Sequence, residues 1–392
     1  MGLILAKPSK TRLVSSSSTD VDCPMYSLCM LGNQFFVLAG GGQLLDDQRS
    51  IVDAFYIYKV DTAALSLFKE GTTSPHFTSS VDSIALQEKD HFLIVTGNRG
   101  ISNFFEFNVE TGVQSHTAIC QSSNTKIITC VKLAQLNQTE ILYANGMSDG
   151  VINIWMYDSV VRNNLLGRPM KVFLGHYDES VDDLDLTANG GVAVSVGTKI
   201  CIWKPVTAFK YDDCLIPTHF HRANVKITQE QCDDENVNLT FVVSVNPRND
   251  PRFSPQLSMY SFTFHEEKST LTTIRRFDLN QEISTLAYRN PYVALGSQEG
   301  DVALFDDKNL RLTATIRGCD NKPITALELL SDNANDSLPR LLLLRDFNTV
   351  ELRTVEIIIP EKPVWLKSVV VGVSLLVVVV AYKPLYNWVF RT

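Results

Sequence analysis

Short runs of alternating apolar and polar residues, separated by Gly, Asn, Asp and Ser, recur along most of the chain. Alternation with a period of two predicts β-strands that bury one face, and the intervening residues are typical of turns. One unit repeats most clearly, an outer strand that ends in an aromatic residue and is often followed by an acidic or amide residue. Its seven copies, the last three weaker, lie around Tyr58, Phe107, Trp155, Trp203, Phe262, Phe305 and Arg353. Because most copies are about 48 residues apart, near the length of a four-stranded propeller blade, the pattern predicts an all-β fold, a seven-bladed β-propeller.

The predicted ring needs one more strand, because open edges on the first and last blades leave backbone groups unpaired. Residues 2–6 or residues 11–15 are expected to add that strand to the last blade, and the serines at 15–18 are expected to form a flexible connection. Residues 207–235, rich in Asp, Asn and His, are expected to form a long connection. Together with residues 246–252 they indicate an enlarged loop on the fifth blade.

Two copies resemble the WD-repeat family in detail. Residues 175–203 begin with Gly-His, carry an Asn-Gly turn and end in Ile-Trp, and residues 148–155 match the end of the same motif. In that family a His, a Ser, an Asp and a Trp hydrogen-bond within one blade. Here the first copy has Gly197 in place of the turn Asp, and the second has Asp149 without its His. We therefore expect the histidines to be structural or exposed rather than metal ligands or catalytic bases.

An uncharged, Val-rich run up to Tyr382 follows the predicted propeller. Residues 364–382 have about the length of a helix that crosses a hydrocarbon core of roughly 30 Å, and the stem of Lys367 carries its charge toward the headgroups. Trp365 and Tyr382 stand at the two ends, where aromatic rings favour the membrane interface. A buried strand is the alternative, although strands are rarely this long. The predicted domains are a cytosolic propeller (1–359), a juxtamembrane linker (360–363), a transmembrane helix (364–382) and a short lumenal tail (383–392).

The predicted span also sets the expected topology. Residues 1–6 have no charged leader of the kind that begins a signal peptide, and Ala6 stands where a myristoylation motif needs Ser or Thr. We therefore expect a single-pass protein anchored near its C-terminus, with the propeller in the cytosol and the C-terminus in the lumen. A short span suits the thin bilayer of the endoplasmic reticulum, so that membrane is the expected location and the mitochondrial outer membrane is the alternative.

Composition narrows the classes of function. The chain has 392 residues, a net charge of −8 and no long basic run, which argues against nucleic-acid binding. Its eight cysteines are scattered without a C-x-x-C pair, so we expect reduced thiols rather than structural zinc. The sequence contains no P-loop and no dinucleotide fingerprint, and its paired acids lie in or near turns, where solvated Asp is common. We do not expect an enzyme with covalent chemistry.

The unusual element is a glycine run at a strand end in the first blade. An apolar strand, residues 35–39, runs straight into three glycines at 40–42, and the next strand begins only at Ile51. Glycines permit positive φ and close approach of the backbone to a ligand. The loop at 43–50 is longer than a two-residue hairpin needs, and its two leucines have no obvious core to enter. On the residues alone, a glycine bulge followed by a flexible loop is the alternative to a binding loop.

With this element the chain resembles one family. It is the endoplasmic-reticulum exchange factors that activate the Sar GTPase and start COPII coat assembly, the prolactin regulatory element-binding protein family in animals. The resemblance covers the architecture of nearly the whole chain; its sharpest part is Leu38-Ala-Gly-Gly-Gly42 with the loop after it, and a weaker part is Ser74-Pro75. It implies that a Sar-type GTPase, GDP-bound and nucleotide-free, is the partner at the endoplasmic-reticulum membrane. The implied exchange loop is Gly40, Gly41, Gly42, Gln43, Leu44, Leu45, Asp46 and Asp47, and the implied further GTPase contact is Pro75.

The resemblance also implies a cofactor. In that family the loop after the glycines inserts at the GTPase's nucleotide site, and its backbone carbonyls can hold a potassium ion. The corresponding carbonyls here belong to Gly41, Gly42 and Gln43. The family's loop usually offers Asn and small residues, whereas this loop offers acids and glutamines.

The implied mechanism is physical rather than covalent. An exchange factor binds the nucleotide-free GTPase better than the loaded form and so lowers nucleotide affinity by linkage. Our hypothesis is that Asp46 or Asp47 competes for the P-loop lysine or repels phosphate, while Leu44 and Leu45 pack on the switch region. The second hypothesis is a membrane-tethered scaffold propeller that only gathers partners, which should tolerate deletion of the loop.

Overall fold

The structure is a computed structural model that describes residues 10–358 apart from short segments. Those segments are 21–23, 33, 45–50, 61–64, 73–79, 87–89, 122–125, 139, 159–169, 198, 205–208, 216–219, 233–235, 249–251, 266–267, 319–320, 331–339 and 347–348. The described elements are strands, arranged as seven four-stranded antiparallel sheets. The predicted all-β architecture with seven blade-like sheets is therefore confirmed.

Within blades 1 to 6 the strands follow chain order from the centre of the ring outward. Blade 1 has β2 (Met25–Leu31), β3 (Phe35–Leu44), β4 (Ile51–Val60) and β5 (Leu65–Thr72). Blade 2 has β6 (Ser80–Ala85), β7 (His91–Gly97), β8 (Ile101–Asn108) and β9 (Gly112–Gln121). Blade 3 has β10 (Ile128–Gln135), β11 (Glu140–Met147), β12 (Val151–Asp158) and β13 (Met170–His176). Blade 4 has β14 (Val181–Leu186), β15 (Val192–Val196), β16 (Lys199–Lys204) and β17 (Phe209–Leu215).

Blade 5 has the longest strands, and blade 7 takes its outer strand from the start of the chain. Blade 5 has β18 (Phe220–Cys232), β19 (Asn236–Pro247), β20 (Gln256–His265) and β21 (Lys268–Asp278). Blade 6 has β22 (Ile283–Arg289), β23 (Tyr292–Ser297), β24 (Val302–Asp306) and β25 (Leu312–Ile316). Blade 7 has β26 (Ile324–Leu330), β27 (Arg340–Arg345), β28 (Thr349–Ile358) and, on its outer edge, β1 (Lys10–Asp20).

The repeating unit of the sequence is the third strand of every blade rather than the outermost one. Phe107 lies on β8 and Phe305 on β24, and both are fully buried. A third strand has a neighbour on each side and packs against the adjacent blades on both faces, which is why it carries the strongest apolar signal.

The N-terminal strand completes the last blade. β1 pairs antiparallel with β28, from Lys10↔Ile358 to Asp20↔Thr349. This confirms the predicted closing strand at residues 11–15. The predicted flexible connection at 15–18 is wrong, since these serines lie in the same ladder. Backbone groups make the ladder bonds, and an edge strand has only one neighbour to pair with, so serines are accommodated there.

The first strands of the blades form the inner wall of the ring. Each contacts the first strand of the next blade, and β26 of blade 7 contacts β2 of blade 1, so the circle is closed. Apolar clusters fill the spaces between neighbouring blades. Between blades 1 and 2, for example, Val37 and Ile57 pack with Ile94 and Phe107.

The fifth blade differs from its predicted form. Residues 207–235, expected to be a long connection, contain strands β17 and β18, so that prediction is wrong. Val225 and Ile227 of β18 are buried in the cluster of this blade, and this apolar alternation outweighs the surrounding polar residues. Of the residues predicted to enlarge a loop, 248–252 fall in the connection between β19 and β20, whereas 246–247 still belong to β19.

Because neighbouring strands in a blade are antiparallel, each connection between strands lies at one of the two ends of the ring. The turns between second and third strands emerge at one end, together with the links from one blade to the next. We call this end the hairpin face and the other end the opposite face. Thr72 and Ser80, which flank the link that contains Pro75, therefore end and begin their strands at the hairpin face.

The predicted transmembrane helix, 364–382, lies outside the described residues, with Trp365, Lys367 and Tyr382. Within the described part of the chain, we find no helix with the length and hydrophobicity needed to span a bilayer.

Candidate functional site

The ladder between β3 and β4 is longer at its outer end than the equivalent ladder in blade 2. Ser27 and Ser80 occupy the same position in their first strands, because each hydroxyl accepts an amide N–H from the next blade's first strand at 3.1 Å. Their partners in the second strands are Ala39 and Gly97. Blade 2 turns directly after Gly97 through residues 98–100, whereas the ladder of blade 1 continues beyond Ala39.

The extra part of this ladder forms a projecting hairpin, residues 40–54. Its four residue pairs are Gly40↔Ala54, Gly41↔Asp53, Gln43↔Val52 and Leu44↔Ile51. At about 3.3 Å per residue, these pairs carry the ribbon about 13 Å past the level at which blade 2 turns. The ribbon therefore stands above the hairpin face.

The glycine run forms the root of the projecting hairpin. A Cβ atom on Gly40 would lie 2.6 Å from Met25 Cα and would also collide with the carbonyl oxygen of Pro24. Gly41 has a φ of 128° and donates its N–H to the same carbonyl at 2.8 Å. Gly42 is the extra residue where the register shifts between Gly41 and Gln43, which is a β-bulge. The glycines thus fit a crowded root and a bulge that bends the ribbon.

The structure brings only part of the predicted exchange loop into view. Gly40 to Leu44 belong to β3, so the run that the sequence placed before a loop is strand and bulge. Leu45, Asp46 and Asp47 at the tip lie outside the described residues, as does Pro75.

The potassium prediction rests on the carbonyls of Gly41, Gly42 and Gln43. The bulge at Gly42 interrupts the regular ladder here, so the strand pairing does not place these three carbonyls around one point, and we derive no step through a potassium ion. Within the described residues, no group of three or more His, Cys, Asp and Glu side chains is placed to hold a metal.

Sequence reasoning missed a set of charged side chains on the first strands. The members of this set, which we call the channel charges, are Asp82, Lys132, Asp183, Asp185, Lys226 and Glu328. Lys132 of blade 3 is influenced by Glu328 of blade 7 as well as by Asp82 beside it. Influence from both sides of the ring shows that these groups converge on its centre.

The channel charges tie neighbouring blades together. Asp82 Oδ1 lies 3.2 Å from Lys132 Nζ, and its other oxygen accepts Leu133 N–H at 2.7 Å. Asp183 and Lys226 make the same kind of pair between blades 4 and 5, at 3.0 Å. These bonds bridge first strands that share no ladder, so their role is structural.

Burial and neighbouring charges shift pKa values within this set. Although burial opposes the charged ammonium, Asp82 and Asp185 raise the pKa of Lys132. Burial raises the pKa of Glu328 to about 6, and the ammonium groups of Lys132 and Lys226 oppose that rise.

Among the WD-like residues, Ser195 bonds to a neighbouring blade as well as to its own. Ser195 is fully buried, accepts Asp183 N–H at 3.0 Å and donates to Ala223 O at 2.6 Å. It therefore links blades 4 and 5. On the opposite face of blade 2, His91 Nε2 lies 3.3 Å from Glu106 Oε2 in a shallow polar pocket.

No protein-family model matches the chain, and no curated protein matches it. Solved structures do match. The crystal structure of Sqt1 from Chaetomium thermophilum aligns with a TM-score of 0.56, covering 86% of this chain and 83% of that chain at 13% identity. Likeness at this identity shows the fold alone, which is a WD-repeat β-propeller-like fold.

Proposed function

We propose that this protein is a guanine-nucleotide exchange factor for a Sar-type small GTPase. It acts from the endoplasmic-reticulum membrane to start COPII vesicle budding. The observation that carries the proposal is the projecting hairpin, a ribbon rooted on glycines and lifted about 13 Å by its four extra pairs. Exchange by loop insertion needs an element that reaches into a partner's nucleotide site, and this ribbon has the reach.

The path of the chain supports an arrangement relative to the membrane. Third strands run from the hairpin face to the opposite face, so β28 ends with Ile358 at the opposite face. Residues 359–363 precede the proposed anchor and span at most about 18 Å. The anchor then lies on the membrane side of the ring, and the hairpin points into the cytosol toward a soluble partner.

The proposed mechanism uses differential binding. The hairpin stabilises the nucleotide-free GTPase, which weakens GDP binding by the same factor. Leu44 and Leu45 pack on the switch region, and Asp46 and Asp47 compete with phosphate for the P-loop lysine. Negative charge placed near the phosphates raises the free energy of the GDP-bound state, and no covalent step is required.

Release of a fluorescent GDP from the cognate Sar GTPase tests the proposal, with the full chain in detergent micelles. We expect acceleration by the wild type. Replacing residues 42–52 with Asn-Gly joins the paired Gly41 and Asp53 by a two-residue turn, and we expect at least a tenfold loss of acceleration. Asp46→Ala with Asp47→Ala should lose part of it.

The matched control is Asp178→Ala with Glu179→Ala, two exposed acids on the hairpin face in the link to blade 4. We expect this control to keep full acceleration. A wild-type chain that is folded but leaves GDP release unchanged would contradict the proposal and favour the membrane-tethered scaffold. Full activity of the shortened hairpin would show that exchange uses another element.

A further inference from the structure

Few large apolar side chains are exposed among the described residues, and they form two groups. Tyr26 and Ile127 are 37% and 41% exposed, and Leu271 and Ile274 are 41% and 49% exposed. The second group lies on β21, the outer edge strand of blade 5. The first group lies at the start of first strands, on the hairpin face.

Tyr26 is exposed because of its position in a bulge. It is the extra residue between Met25 and Ser27 in β2. In β10 and β22 the same extra position holds Thr129 and Ser284, whose hydroxyls donate to the next blade's first strand. At this position in β2 the tyrosine leaves part of its surface open to solvent.

Hydrogen bonds hold the backbone at Ile127 in place. Its N–H donates to Ser148 Oγ at 3.2 Å, and its carbonyl accepts Ser148 N–H at 2.9 Å. The next residue, Ile128, donates its N–H to Asn98 O at 2.8 Å. Holding the side chain in place beforehand reduces the entropy lost when a partner covers it.

Tyr26 and Ile127, which we call the apolar pair, flank the first strand of blade 2 on either side. Tyr26 shares blade 1 with the projecting hairpin, and the apolar pair lies on the same face of the ring as the hairpin. A stable protein interface buries about 800 Å² on each side, which is more than a hairpin tip offers. Exposed Lys126 precedes Ile127, and exposed Arg99 follows Asn98, which bonds Ile128; both basic residues suit a polar rim.

We propose that the apolar pair anchors the body of the small GTPase while the projecting hairpin acts on its nucleotide. This inference rests on the proposed function and assigns it a second contact. The two contacts have separable effects. Anchors that bind the GTPase equally in all its nucleotide states change the concentration needed for half-maximal exchange, whereas the hairpin changes the maximal rate.

The test measures GDP release over a range of full-length protein concentrations in micelles. Tyr26→Ser with Ile127→Ser should raise the half-saturating concentration at least tenfold, since anchors of this kind dominate interface energy. The maximal rate should stay within about twofold, which follows if binding at the anchors is uniform. The matched control, Leu271→Ser with Ile274→Ser, removes equally exposed apolar side chains from β21 and should change neither quantity. If the double variant melts earlier than the wild type, Tyr26→His and Ile127→Gln are measured singly.

Binding of immobilised nucleotide-free GTPase to the same variants separates the two proposals. If the wild type accelerates GDP release and the apolar-pair variant has the same half-saturating concentration, this inference is overturned and the exchange function stands. If the wild type does not accelerate GDP release but still binds the GTPase through the apolar pair, the exchange function is overturned and the docking surface stands. Absence of binding overturns both.

Discussion

The ionised form of Glu328 destabilises the folded protein, because its carboxylate is buried at the centre of the ring. Its pKa is raised from 4.5 to about 6 by burial, so the folded chain holds a proton on this residue where the unfolded chain has released it. The stability that this proton contributes is fully present below about pH 4.5 and is lost as pH rises through about 6. The ionised residue therefore costs about 2 kcal/mol at neutral pH.

Glu328→Gln should remove that cost. We expect the variant to melt higher than the wild type at pH 7.5 and at nearly the same temperature at pH 4.5, measured by intrinsic fluorescence. Glu282→Gln, an exposed glutamate on the hairpin face, is the control and should change neither value. Equal melting of Glu328→Gln and wild type at pH 7.5 would mean that Glu328 is not penalised.

A second buried charge set lies in blade 7. Glu351 bonds Arg353 through both oxygens, at 2.6 and 3.0 Å, and lies 3.3 Å from Arg345 Nε. Glu351→Gln leaves two buried guanidinium groups without their anion and should cost about 3–5 kcal/mol. Asp346→Asn breaks the exposed pair with Lys322 at 3.5 Å and should cost less than about 1 kcal/mol. Denaturant unfolding compares the two variants; similar losses would contradict the buried network.

At the scale of elements, the closing strand is the one whose removal should matter most. A chain lacking residues 1–20 loses β1 and exposes the edge of β28, where unpaired backbone groups invite aggregation. We expect a melting temperature at least 10 °C lower or loss of soluble protein. A chain lacking residues 1–8 retains every pair of the β1–β28 ladder and should melt like the wild type. Normal melting without residues 1–20 would show that the ring closes without β1.

Blade number could be predicted from the sequence because the third strands repeat large apolar rings, as Phe104, Phe105 and Phe107 do in β8. The glycine run was placed correctly in the first blade, and the glycine bulge that its residues allowed as one interpretation is present in the ladder. The channel charges were missed for a physical reason. Asp82 and Lys132 look like the solvent-facing positions of half-buried strands, and only ring closure turns those positions toward each other. Asp183, expected near a turn, lies in β14 and pairs with Lys226 for the same reason.

At the scale of the whole molecule, one blade depends on both ends of the chain. Asp20 and Thr349, which hydrogen-bond across the β1–β28 ladder, are 329 residues apart in sequence. During synthesis the first strand leaves the ribosome long before its partner exists, and at about 5–20 residues per second it waits for at least about 15 seconds. The ring is thus sealed last, while the residues that form the proposed anchor are emerging. Until that moment the edge of the N-terminal strand has no partner, and an unpaired edge of this kind is open to pairing with other chains.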